Sequence, residues 1–146
     1  MTKKTFTKIL SANDVGKTGA HQGGVLIPKT EAELLAILPS LNPAIKNPDA
    51  WIECLDEIGV TRRFRFVYYN NKLHDEKGTR NEYRLTYMTR YFRDLAANEG
   101  DTFEISGGED KFNYSIRIVR PLAEPVKQEE EKVIRIKITS SWRRVH

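Results

Sequence analysis

The residues best suited to chemistry fall in two polar stretches, residues 8–29 and 70–84. The first, KILSANDVGKTGAHQGGVLIPK, contains Gly16-Lys17-Thr18. A loop that cradles a nucleotide phosphate needs an earlier glycine, with four residues between it and the Gly-Lys pair, so that backbone N–H groups can wrap the anion. That position is Ser11, and the residues after Thr18 read as polar loop rather than helix. The nucleotide-binding pattern therefore fails. A second set, Pro48-Asp49 with Glu130-Glu131-Lys132, offers the acids of a magnesium-dependent nuclease, in which carboxylates hold the ion that activates water. The two halves lie far apart in the chain, and short acidic matches of this kind arise readily by chance. The plainer reading is a loop aspartate and a solvated charge run. Zinc has no support: Cys54, His21, His74 and His146 show no ligand spacing. No catalytic residue, metal or cofactor is expected in this chain.

Binding remains. The first stretch presents Lys8, Ser11, Asn13, Asp14, Lys17, Thr18, His21 and Gln22, with Gly16, Gly19, Gly23 and Gly24 allowing close backbone approach. The second presents Lys72, His74, Lys77, Thr79, Arg80, Asn81, Glu82, Tyr83 and Arg84. These residue types read base edges. Arginine forks onto guanine, asparagine and glutamine onto adenine, and a carboxylate accepts from the cytosine amino group. A purely electrostatic grip on phosphate would avoid acids. Glu82 between Arg80 and Arg84, and Asp14 ahead of Lys17, thus look like base readers flanked by phosphate clamps. Ordinary polar surface loops, or loops that bind a peptide or a sugar, fit the same composition.

The elements that must carry these arms read mainly as β-strand. Residues 5–11 form a first strand, Val25-Leu26-Ile27 a short buried one, and residues 51–58 and 61–69 a pair joined near Gly59. A short strand is expected at 85–88, further strands at 101–106 and 112–119, and a last one at 133–139. Thr30 and Glu33 match a capping box opening a helix that Pro39 stops. Thr89 is placed to cap a second helix reaching Ala97. Some seven strands and two short helices predict one curled sheet or barrel. The domain is expected to span residues 1–139, with 140–146 a tail or the start of a linker.

With 146 residues, one domain is expected, large enough for a core without staples. The net charge of +4 leans towards a polyanionic partner without establishing one. The single cysteine, Cys54, sits in an apolar strand and reads as a buried hydrophobe in a reducing compartment. The N-terminus lacks a signal-peptide core, and no apolar run is long enough to span a membrane, so a cytoplasmic setting is expected.

At the two arms the sequence resembles the N-terminal recognition domain of EcoRII-type restriction endonucleases. The similar residues are Ser11-Ala12-Asn13-Asp14, Gly16, Thr18-Gly19, His21-Gln22, Gly24 and Ile27-Pro28, then Tyr68-Tyr69-Asn70, Thr79-Arg80-Asn81-Glu82, Arg84 and Thr86. The resemblance implies a seven-stranded open pseudobarrel with two flanking helices, like plant B-three DNA-binding domains. It implies double-stranded DNA as partner, gripped in the major groove by two arms that each read half of a CCWGG-like site, with the protein a monomer on DNA. It assigns Lys8, Asn13, Asp14, His21 and Gln22 to one arm and Arg80, Asn81, Glu82 and Arg84 to the other, with Tyr69 and Asn70 leading into the second. Tyr83 departs from the pattern, which has a lysine there. In that family a separate C-terminal nuclease domain cuts the DNA, so this chain resembles the recognition module of a type II restriction enzyme.

Overall fold

The computed structural model describes residues 3–16, 23–121 and 142–145. These form an eight-stranded sheet in the order β2-β5-β4-β3-β7-β6-β1-β8. The strands are β1 (Lys4–Ile9), β2 (Val25–Ile27), β3 (Asp49–Leu55), β4 (Thr61–Tyr69), β5 (Glu82–Thr86), β6 (Thr102–Gly107), β7 (Asn113–Val119) and β8 (Trp142–Val145). Every pairing is antiparallel except β3 with β7. The sheet curls until its two edge strands meet: the indole Nε1 of Trp142 in β8 donates to the Leu26 carbonyl in β2 at 3.1 Å. One tryptophan thus bridges the seam of an open pseudobarrel.

Alternation in sequence explains which side faces in. In β4, Phe64, Phe66 and Tyr68 are buried on the inner face, where Phe64 and Phe66 join Ile52, Leu85, Phe103 and Ile105 in the core. Arg63, Arg65 and Tyr69 occupy the outer face, as period two requires. Val67 shares their parity but is wholly buried. Three short helices are present among the described residues: α1 (Ala32–Ile37), α2 (Asn71–His74) and α3 (Thr89–Asp94). Helix α1 gives Leu34 and Ile37 to the core, and α3 gives Tyr91 and Phe92.

Several expectations are corrected. Thr30 does not cap α1; Glu31 holds that position without a side-chain cap, and the Glu31 N–H is taken by the Pro28 carbonyl at 3.0 Å in the preceding turn. Thr89 does not cap α3 either, because its hydroxyl accepts from the Gly23 N–H at 2.5 Å. The strand expected at 85–88 begins earlier, at Glu82, since Tyr83 and Leu85 both turn inward and the ladder continues through them. Strand β3 stops at Leu55 rather than 58, where the Asp56 carboxylate accepts from the N–H groups of Ile58 and Val60 and bends the chain into β4. The expected strand at 133–139 lies outside the described residues. The tail expected at 140–146 instead contains β8, which pairs with β1 and buries Trp142.

Candidate functional site

The outer face of β4 and β5 carries the most chemically dense surface. Arg65 and Tyr69 project from β4; Glu82, Arg84 and Thr86 project from β5. The register sets Tyr69 opposite Glu82, Val67 opposite Arg84, and Arg65 opposite Thr86. Asn13 and Gly24 from the first arm, Arg80 from the second, and Tyr87 complete the walls of a cleft of about 650 Å³. Val67, opposite Arg84 in the register, is wholly buried.

Glu82 is the hub. Its Oε2 accepts from Arg84 at 3.0 Å and from Arg80 at 3.3 Å. Partial burial works against its charge, but the hydrogen bonds from Arg84 and Arg80 outweigh burial and hold the carboxyl below its ordinary value. The Arg80 guanidinium lies over Tyr69, 3.7 Å from the ring centroid, a cation–π contact that helps to hold it at the cleft. Each guanidinium has five N–H donors and contributes one of them to Glu82 here, and both arginines line the cleft. Arg65 is held from behind by Asp49 at 2.6 Å. Three arginines and one carboxylate line the cleft, a composition suited to a polyanion that also presents hydrogen-bonding edges.

The arms are built to hold this geometry. At the base of the first, Asp14 and Ser11 cap each other: the Ser11 N–H donates to Asp14 Oδ2 at 3.0 Å, and the Asp14 N–H donates to Ser11 Oγ at 3.1 Å. The Lys8 ammonium meets the same Oδ2 at 2.5 Å, and both side chains are buried. The returning limb is fixed by the Gly24 N–H on the Asp14 carbonyl at 2.9 Å. A Cβ on Gly24 would sit 2.6 Å from the Leu85 carbonyl, so only glycine permits this approach. In the second arm the Arg80 N–H donates to Asn71 Oδ1 at 2.8 Å, and the Arg80 carbonyl accepts from the Lys72 N–H at 3.0 Å. Gly78 lies so close to Asn71 that a Cβ would fall 2.1 Å from its carbonyl oxygen.

The structure sorts the residues expected to bind. Asn13, Tyr69, Arg80, Glu82 and Arg84 converge on the cleft. Lys8 and Asp14 do not reach an open surface; they are buried against each other under the arm. Ser11 is engaged in the turn. Asn70 is fully buried: it exchanges hydrogen bonds with Asn47 and donates to the Ile45 carbonyl at 2.9 Å, so it anchors the loop before β3. Asn81 turns to Tyr68, whose hydroxyl donates to its Oδ1. Tyr83 faces inward and stacks on Tyr68, with ring centroids 4.4 Å apart; burial, then the neighbouring Tyr68, raise its phenol above the ordinary value. Lys77 is exposed on the second arm, away from the cleft lining. Lys17, Thr18, His21 and Gln22 lie outside the described residues. Arg65 and Tyr87 escaped the sequence reading, although Arg65 shares the strand parity of Tyr69 and could have been placed beside it on that ground; Thr86, named there only among the residues of the resemblance, also lines the cleft.

Of the nuclease-like acids, Asp49 is tied to Arg65, and 130–132 lie outside the described residues. Among the described residues, no group of three or more histidines, cysteines or acids could hold a metal ion. Among them, too, no helix is long and apolar enough to cross a membrane.

Fold and cleft together define a pseudobarrel domain with a polar, arginine-lined face. A solved structure, the Arabidopsis FUS3–DNA complex, matches this architecture with a TM-score of 0.58 over 80% of this chain and 96% of that one, at 21% identity. The family model for the N-terminal part of restriction endonuclease EcoRII matches residues 2–106, and the chain belongs to that family. It is 39% identical over 89 residues to the type II restriction enzyme EcoRII of Escherichia coli, a match that covers 56% of this chain and 20% of that protein. The chain therefore aligns with about a fifth of the length of that relative.

Proposed function

We propose that this chain is a duplex-DNA reader, the recognition module of a type II restriction endonuclease, and that it performs no cleavage itself. The observation that carries this reading is Glu82 clamped between Arg80 and Arg84 at the mouth of a polar cleft. A carboxylate held ionised between two guanidinium forks presents an acceptor flanked by donors, the complement of adjacent cytosine amino and guanine O6/N7 edges in a major groove. The DNA complex of the fold neighbour and the family membership support the partner.

In this reading the two arms enter the major groove of a CCWGG-like site with the protein as a monomer. Arg80, Glu82 and Arg84 read bases, and Asn13 and Arg65 border them. Lys17, Thr18, His21 and Gln22 read or clamp the other half-site; Lys77 steers phosphate from the second arm. Lys8 and Asp14 act one step back, by holding the first arm in place, and Asn70 and Ser11 do the same for their loops.

The test is a mobility-shift titration of duplexes that differ only in the site. Preference for CCWGG over a scrambled duplex supports the assignment. Equal binding to both removes the site, and no binding to either at moderate salt removes DNA as the partner. Incubation of supercoiled plasmid with the chain and magnesium should leave the plasmid intact.

A further inference from the structure

Beside the recognition cleft lies a second concavity of about 680 Å³, whose walls include Arg62, Arg63, Tyr87 and Arg90. Tyr87 lines both. It is 51% exposed and has φ of 66°, a left-handed conformation that a bulky residue rarely adopts. Its ring packs edge-on against Trp51, with centroids 5.0 Å apart, and the guanidinium of Arg63 lies 4.8 Å from the Trp51 ring on the same outer face. Tyr87, Trp51 and Arg63 thus form a continuous aromatic and cationic shelf leading away from the first cleft.

The local charges divide unequally. The charge of Arg62 is paired with two carboxylates, Asp56 at 2.8 Å and Asp94 at 2.7 Å. Arg90 has an 88% exposed side chain and only a 4.0 Å approach to Asp94. Glu53 is the register partner of Arg63 and, like it, is exposed. Arg63 and Arg90 are therefore the cations placed to meet an outside anion. Arg63 and Tyr69 lie six residues apart on β4, about 20 Å at the rise of a strand. Five base pairs span about 17 Å. Five base pairs laid along β4 from Tyr69 would therefore end before Arg63.

We infer that the shelf is a second contact for the sugar–phosphate backbone, and that it holds the duplex flanking the recognised base pairs. Arg63 and Arg90 bond phosphates, and the Tyr87 ring lies against the sugar edge at the border of the site. The inference rests on the DNA-reading function above. It predicts that affinity depends on duplex length on one side of the site, with no sequence preference there.

The experiment compares the parent chain with R63Q/R90Q on three duplexes: one with long flanks, and two with one flank or the other trimmed to the site. Titrations run over a series of salt concentrations, and each is repeated on scrambled duplex. Trimming one particular flank should weaken the parent and leave the double variant unaffected. The variant's salt slope should fall by about two, near 0.9 per lost phosphate contact, with its ratio of specific to scrambled binding preserved. Y87N, whose new residue tolerates positive φ, should keep the thermal midpoint yet bind the long duplex more weakly. Parent-like affinity and slope in R63Q/R90Q would overturn the inference while leaving the recognition cleft intact. So would a loss confined to the specific duplex, which would make these arginines base readers. If the parent binds neither specific nor scrambled duplex, the DNA reading and the shelf fall together.

Discussion

Lys8 and Asp14 meet at 2.5 Å with both side chains buried, inside the turn that launches the first arm. A buried charge pair adds little net stability over an apolar pair, but removing one partner strands the other charge. The pair therefore ties the base of the arm to β1. Asp14→Ala is expected to cost about 3–5 kcal/mol in urea unfolding. An apolar double replacement, Lys8→Met with Asp14→Leu, should recover much of that loss. It should recover less of the DNA affinity, because Asp14 also fixes the Ser11 turn through its carboxylate.

Arg80→Ala removes the Tyr69 stack and one hydrogen bond to Glu82. The expected result in competition titrations is a loss of discrimination of about 1–3 kcal/mol at one base position, with non-specific binding reduced only slightly. Arg80→Lys should fail nearly as badly, because an ammonium keeps the charge without the fork. Since its arginine partners hold the Glu82 carboxyl below the ordinary range, the difference in discrimination between the parent and Glu82→Gln should stay flat as the pH is lowered from 8 to about 5. A sharp change common to both within that window would mean that another group is titrating.

Asn70→Ala separates structure from recognition. Its side chain answers the Asn47 N–H at 2.7 Å and the Ile45 carbonyl at 2.9 Å from a fully buried position. Loss of those partners should lower stability by about 1–3 kcal/mol, read from thermal or urea melts. The ratio of specific to scrambled binding should be unchanged below the melting transition.

Asp56 sets an acid limit on the fold. Burial opposes its charge, but N–H donors from Val60 and Ile58 and the Arg62 guanidinium together bring its pKa below the ordinary 3.8. A carboxyl depressed in the folded state contributes stability above its unfolded value and loses that contribution as the pH falls through the folded one. Asp56→Asn should therefore melt well below the parent at neutral pH. The gap between them should narrow as the pH drops past 3.8 towards the folded value. A gap that stays constant with pH would assign the effect to lost hydrogen bonds rather than to charge.

Much of this fold was legible because β7 alternates cleanly and β4 does so apart from Val67, and because Pro28 and the turn at Gly59 punctuate the chain. The helix caps were misread for one shared reason. Thr30 and Thr89 match a local pattern, but Thr30 lies within the turn before α1, and the Thr89 hydroxyl has a partner 66 residues away in Gly23. The site was half legible. Arg80, Glu82 and Arg84 stand out as acid among bases, whereas Arg65 reads as one more exposed strand residue until β5 is laid beside β4. In the sequence Lys8, Asp14 and Asn70 read as contacts, because polar side chains in a polar stretch look exposed. Nothing in local composition tells a buried, satisfied polar group from one that faces a ligand.

Strand β2 is where the first arm ends, and it hydrogen-bonds to β5, which carries Glu82 and Arg84; Leu26 stands directly opposite Arg84. The two arms are limbs of a single ladder, so a shift in one reaches the other within one strand spacing. A target sequence would then be read as one word and not as two independent syllables. Attempts to re-target such a domain should find that changes confined to one arm mostly abolish binding. New specificities should emerge when residues 11–27 and 80–86 are exchanged together as a cassette.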